Sequence, residues 1–282
     1  SPDDWNAIKD DIFLLSKTYE LGQDISFSGE TFHPIGMNGT NTTPFAGQLL
    51  SGGYTLRDIT YTDSGTKTSA GIIASASDKA IIGDRREPFK MNNIDFTCAN
   101  SNCGVIGESQ GAKIFLDVTN SIIKDDGNAR QCIGGLIGGI TGSVDSQIEQ
   151  SRFSGFVYAP SSNQVGGLIG CLADANTFNV TIKDTAVNLK SLTGDTTIGG
   201  MVGSADTTHQ INVIDSYVYF VPDSTYSPQV NGTDANPAIA GVIGNLENNL
   251  SLTRFFIDYS EIGTSGVETG FIPFAINGPA GT

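Results

Sequence analysis

Residues 132–139 read Cys-Ile-Gly-Gly-Leu-Ile-Gly-Gly, and this phrase recurs through the chain. It returns at Gly166-Gly167-Leu168-Ile169-Gly170, Gly199-Gly200-Met201-Val202-Gly203 and Ala240-Gly241-Val242-Ile243-Gly244. Fainter copies stand at Ala70-Gly71-Ile72-Ile73-Ala74 and Cys103-Gly104-Val105-Ile106-Gly107, and a decayed one at Thr269-Gly270-Phe271-Ile272-Pro273. Counted on the second glycine of each copy, the steps are 33, 31, 32, 33, 41 and 29 residues. A fixed period in this range is the mark of a solenoid, in which each unit buries its apolar face only against its neighbours. A phosphate-cradling glycine loop would need one copy between strand and helix, often followed by Lys-Ser or Lys-Thr, and Ile140-Thr141 follows here.

The unbroken repeat argues for one domain over all 282 residues. Its parts are an N-terminal helical cap (1–18), lead-in strands (19–62) and repeat coils (63–282). Thirty acidic against fifteen basic residues give a net charge of −15, which disfavours a nucleic-acid backbone or an anionic membrane surface as partner. No apolar run approaches the roughly 18 residues of a membrane helix, so membrane insertion is not expected. There is no basic-then-apolar leader, and a signal peptide removed before Ser1 is compatible with the start.

Ser1-Pro2-Asp3-Asp4 has the form of a helix start, with Trp5, Ile8, Ile12 and Leu15 at helical spacing behind it. Such a helix would cover the open end of the first coil. Short strands are expected around Gly22, and then come Phe32-His33-Pro34-Ile35-Gly36, Pro44-Phe45-Ala46-Gly47 and Gly53-Tyr54-Thr55-Leu56-Arg57-Asp58-Ile59.

This lead-in, followed by recurrent Gly-Gly-Leu-Ile-Gly, resembles the GLUG-motif proteins, mostly bacterial surface and secreted chains of adhesin type. The likeness runs from about Asp4 to about Ile272, and departs where Ser51-Gly52-Gly53 replaces the usual Asp-Gly-x-Gly turn. It implies an all-β, right-handed parallel β-helix at or outside the cell surface, and it implies no catalytic residues.

From the period, about six to seven coils at about 4.8 Å each are expected, roughly 30–35 Å of stack. Ile133, Val165, Ile198 and Ile239 should form one inward column, and Ile106, Ile137, Ile169, Val202 and Ile243 another. Each coil should carry a second strand half a period on, such as Ile148 to Phe153. Ser121, Ser151, Thr185 and Ser216 recur at one phase in these strands and should stack as a hydroxyl ladder.

Four cysteines lack metal-site spacing, and no metal or cofactor is expected. A disulfide between Cys103 and Cys132, or between Cys98 and Cys103, is open, with Cys171 left as a free buried thiol.

Catalysis would need convergent acids and bases. His33 and His209 lie in different coils, Asp84-Arg85-Arg86-Glu87 reads as a surface ion-pair turn, and Asp117, Glu149, Asp184 and Asp215 fall at unequal phases on successive strands. The chain therefore reads as a non-enzymatic extracellular structural or adhesive module, for example a subunit of a surface fibre. The alternative is a polysaccharide-binding or polysaccharide-degrading β-helix or a phage-type spike. Partners would be other subunits through self-assembly, or cell-surface glycans or proteins.

Two contact surfaces stand out. The long step carries an insertion over 222–233, rich in proline and polar residues, expected as a loop; with Tyr219, Tyr226 and Asn231 it is a candidate contact site. The other is Val105, Leu136, Leu168, Met201, Val242 and Phe271. By strand alternation these face away from the isoleucine columns, an apolar stripe that needs a cover: the N-terminal helix or loops of the same chain, or another subunit, in which case it is a candidate interface.

Overall fold

The computed structural model describes residues 1–9, 11–38, 41–65, 68–99, 102–128, 131–172, 177–205, 209–221, 229–234, 238–246 and 250–258. Nearly all of it is parallel β-structure wound into a solenoid of about six turns, with one short helix at the N-terminus.

One coil shows the plan. Cys132–Gly134 lies in sheet I, Ile137–Ile140 in sheet II, Ser146–Glu149 in sheet III and Arg152–Tyr158 in sheet IV. The chain then enters sheet I again at Gln164–Gly166. Among the described residues, sheets I and II have six strands each, sheet III eight and sheet IV nine. The lead-in strands Thr18–Glu20, Ile25–Ser26, Gln48–Leu50 and Thr55–Thr62 are the first rungs of sheets III and IV.

Both isoleucine columns form as expected. Ile133, Val165, Ile198 and Ile239 are in register in sheet I. Ile106, Ile137, Ile169, Val202 and Ile243 are in register in sheet II. All are buried in one hydrophobic core that runs the length of the stack.

The glycine phrase is not one strand but a corner between two. Gly134 faces the backbone of sheet II so closely that a Cβ there would come within 2.0 Å of the Ile137 carbonyl oxygen and 2.6 Å of the Gly170 nitrogen. A Cβ on Gly135 would meet the Phe153 ring at 2.7 Å. Only glycine lets two strands approach backbone to backbone with a ring of sheet IV packed into the bend.

This corner corrects the predicted interface. Because the chain turns between Gly134 and Ile137, Leu136 follows neither strand's alternation, and Val105, Leu136, Leu168, Met201 and Val242 lie in the core at 0–1% exposure. The coil itself covers them, and they offer no surface to a subunit. Phe271 lies outside the described residues.

The strand expected over Ile148 to Phe153 is likewise two strands, broken at Gln150, which has a left-handed backbone with φ 45°. Asp184, Asp215 and Arg254 repeat that conformation at the same corner between sheets III and IV. In earlier coils the left-handed residue sits instead inside the sheet IV strand, at Asp58, Asn93 and Asn120. The changeover is a register shift between Val118 and Ser121 against the next strand, where Asn120 is the extra residue.

The recurrent hydroxyls serve these bends. Ser121, Ser151, Thr185 and Ser216 each follow a left-handed residue, and each is buried. Each donates to the carbonyl two residues back, those of Thr119, Glu149, Lys183 and Ile214, at 2.8–3.0 Å. Ser121, Ser151 and Ser216 also accept the N–H of Ile94, Leu116 and Thr185 in the preceding coil. The expected hydroxyl-to-hydroxyl ladder is thus a set of backbone clamps, because a left-handed residue turns peptide groups away from their ladder partners.

The N-terminal cap is shorter than predicted. The helix Pro2–Ile8 has a capping box between Ser1 and Asp4, and buries Trp5 and Ile8. The Trp5 indole N–H donates to the His33 carbonyl at 3.2 Å, and its ring lies 6.3 Å from Phe32 and 6.4 Å from Phe89. Ile12 is not on the buried stripe and is 67% exposed. The Asp11 carboxylate takes the N–H of Phe13 at 2.8 Å, which starts a separate 3-10 turn at Leu14–Ser16.

Two disulfides close the coils, Cys98–Cys103 and Cys132–Cys171. The first is one of the pairings open in the sequence. The second corrects the reading of Cys171 as a free thiol: sheets I and II lie face to face, so Cys132 of one coil meets Cys171 of the next with their Cα atoms 5.3 Å apart.

Candidate functional site

Among the described residues, the outer face of sheet IV carries three exposed aromatic side chains, while Phe13 in the cap and Tyr54 in a turn are exposed elsewhere. Strand residues alternate, so Val187 and Phe153 point into the core while their neighbours point out. Arg152, Ser154, Phe156 and Tyr158 project from one coil. In register with these, Ala186 and Asn188 follow in the next coil, Tyr217 and Tyr219 in the one after, and Phe256 and Asp258 in the last described. Tyr158 is 52% exposed, Tyr217 40% and Phe256 62%. The Lys190 ammonium sits 5.6 Å above the Phe156 ring.

Two predicted contact residues fall on this face. Tyr219 stands beside Asn188, and Asn231 lies in register with Thr193 and Tyr158. Asn231 belongs to a strand, Gln229–Gly232, which adds to the far half of Ala186–Gly194. That part of the insertion was expected as a loop; an edge left open by the short strand Tyr217–Phe220 captures it. Tyr226 lies outside the described residues. Sequence reading missed Tyr158, Tyr217 and Phe256, whose signal was an exposed ring at alternate positions of a strand whose other positions are apolar.

Towards the N-terminal end the same face forms a shallow open groove, floored by Thr55, Arg57, Lys90, Asn92, Asp117 and Thr119. The Asn92 amide donates to the Thr119 hydroxyl at 2.8 Å.

Several charged groups of the face are matched internally. Arg152 grips Asp117 through two hydrogen bonds of 2.7 and 3.0 Å. Lys124 meets Asp95 at 2.6 Å and Arg57 meets Asp58 at 2.7 Å. The Asn93 amide and the Ser26 hydroxyl, with Arg57 beside them, hold the Asp58 carboxyl below the usual carboxylate range.

Three of the four carboxylates weighed as catalytic candidates, Asp117, Glu149 and Asp215, are tied into ion pairs with arginines. Glu149 binds Arg85, whose guanidinium pKa is raised by that hydrogen bond. Arg254 forms a fork on Asp215 and holds its carboxyl low. Asp184 occupies the corner position between Gln150 and Asp215, where its charge acts on both Arg85 and Arg254. Asp84 closes its own turn by accepting the N–H groups of Arg86 and Glu87 at 2.7 and 3.0 Å. His209 is buried with its ring 4.0 Å from that of Phe178, and the His33 N–H is bound by the Asn6 side chain at 2.9 Å. The two histidines and the corner carboxylates therefore sit at separate places on the stack.

No protein-family model, curated protein or solved structure matches the chain, so any functional reading rests on the chain's own residues.

Proposed function

We propose that this chain is a non-catalytic structural or adhesive β-solenoid that works outside the cell, as a surface-presenting rod or a subunit of a surface fibre. The observation that carries the reading is a single core running through the described coils, with the Cys132–Cys171 disulfide stitching one turn to the next and Cys98–Cys103 closing the short link between two consecutive strands. Such a stack is stiff along its axis and presents long flat faces, which suits display and adhesion. Full pairing of the four cysteines favours an oxidising compartment. The ion pairing of Glu149, Asp117 and Asp215 with arginines supports a structural role for these acids rather than proton transfer.

Two measurements test the reading. Electron microscopy of the purified chain is expected to show rods or filaments, and incubation with pectate, alginate and hyaluronan is expected to leave their chain lengths unchanged. Reproducible cleavage that Asp184→Asn or Glu149→Gln abolishes would overturn it in favour of a polysaccharide-degrading enzyme.

A further inference from the structure

We infer that the outer face of sheet IV is a binding platform for an uncharged polysaccharide chain. Three features of the face support this. Tyr158, Tyr217 and Phe256 expose large rings on rigid strands, where each would otherwise leave apolar area in water. A sugar ring offers C–H groups on its face and hydroxyls on its rim, so it can use both a flat aromatic surface and the polar groups beside it. Those polar groups are present between the rings: Ser154 and Asn188 in adjacent coils, and Asn231 in the column of Tyr158.

Charge selects among ligands. The chain carries −15 overall, yet Arg152, Lys124 and Arg57 are each neutralised by an acid on this same face. These pairs leave little field of one sign to attract an ionic polymer, Lys190 lies over the Phe156 ring, and the net charge of −15 repels anions. A protein partner would favour a contiguous apolar centre, whereas here Ser154, Asn188 and Asn231 lie around and between Tyr158 and the Tyr217–Phe256 pair.

Dimensions favour a chain over a single sugar. Tyr217 and Tyr158 are three outward columns and two coils apart, which at strand spacings places them about 20 Å from each other. The groove floored by Lys90, Asn92, Asp117 and Thr119 extends the face further towards the N-terminal end. Because the rings stand on a stitched stack, little conformational entropy is lost on binding.

This inference rests on the adhesive reading above and is tested separately from it. The full chain would be run in native gels cast with hydroxyethylcellulose, mannan, galactan or no polymer, beside Tyr158→Ala and Tyr217→Ala. Retardation by at least one of these polymers is expected, with each substitution weakening it about tenfold while circular dichroism is unchanged. No retardation in any gel would overturn the inference, as would retardation that both substitutions leave intact. If the substitutions instead dissociate an oligomer, the face belongs to a second copy of the chain and the glycan assignment falls. None of these outcomes bears on cleavage, which the incubation with acidic polysaccharides reads independently.

Discussion

The backbone N–H of Leu116 donates to the hydroxyl of Ser151 in the next coil at 3.0 Å, although 35 residues separate them in the chain. That hydroxyl in turn donates to the Glu149 carbonyl, so one side chain satisfies two peptide groups beside the left-handed bend at Gln150. Ser151→Ala should leave both without a partner in a site that is 2% exposed, and lower unfolding free energy by roughly 2 kcal/mol. Urea denaturation checks this, with a change below about 0.5 kcal/mol counting against the clamp.

The bend itself is strained for glutamine. Asparagine adopts left-handed backbone more readily than longer side chains, and Asp184 and Asp215 hold the equivalent corners of the next two coils. Gln150→Asn is therefore expected to raise the unfolding free energy by about 0.5 kcal/mol. A loss measured in the same titration would show that the Gln150 side chain contributes more than its backbone costs.

At the glycine corner the direction reverses. Gly134→Ala would place a methyl group within 2.0 Å of the Ile137 carbonyl oxygen, between two backbones that cannot part without breaking their ladders. We expect a loss of more than about 3 kcal/mol, seen as insoluble expression or a collapsed thermal transition. Gly127→Ala, at a turn with open space around it, serves as the control for a left-handed glycine without a clash.

The two disulfides should differ in weight. Cys132–Cys171 closes a loop with a sequence separation of 39, against 5 for Cys98–Cys103. In the chain-entropy account these correspond to about 4 and about 2 kcal/mol. The Cys132→Ser, Cys171→Ser double variant should accordingly shift the denaturation midpoint more than the Cys98→Ser, Cys103→Ser one. The opposite order would mean that native packing, not loop closure, sets their contributions.

Acid should weaken the stack in a defined window. Folding lowers the pKa of Asp58 through the Asn93 and Ser26 hydrogen bonds, and that of Asp215 through Arg254. A depressed carboxylate contributes stability in full above its unfolded value, near 4, and loses it as the pH falls through the folded value. Both groups are partly open to solvent, which keeps each contribution small. Thermal scans should therefore be level from neutral pH to about 5 and decline below about 4, with a shallower decline in the Asp58→Asn, Asp215→Asn double variant. An identical decline in that variant would assign the acid sensitivity to other carboxylates.

Much of the fold was legible because a solenoid writes its neighbours into its period. Val165 sits over Ile133 for the same reason that their phrases match, and the glycine spacing thus determined the stack, its register and both isoleucine columns. The N-cap at Ser1 and the buried place of Trp5 were equally local, set by capping chemistry and helical spacing.

Tertiary structure decided what alternation alone could not. Strand periodicity assumes a straight strand, and the corner at Gly135 turned Leu136 from a predicted outer stripe into core. Cys171 found Cys132 because sheets I and II pack backbone to backbone, a closeness visible only once a Cβ at Gly134 is seen to have no room. The aromatic face arose the same way: Tyr158 and Tyr217 are 59 residues apart in the sequence and share no motif. Coil stacking brings them onto one surface, since parallel strands in register carry every second side chain to the same side.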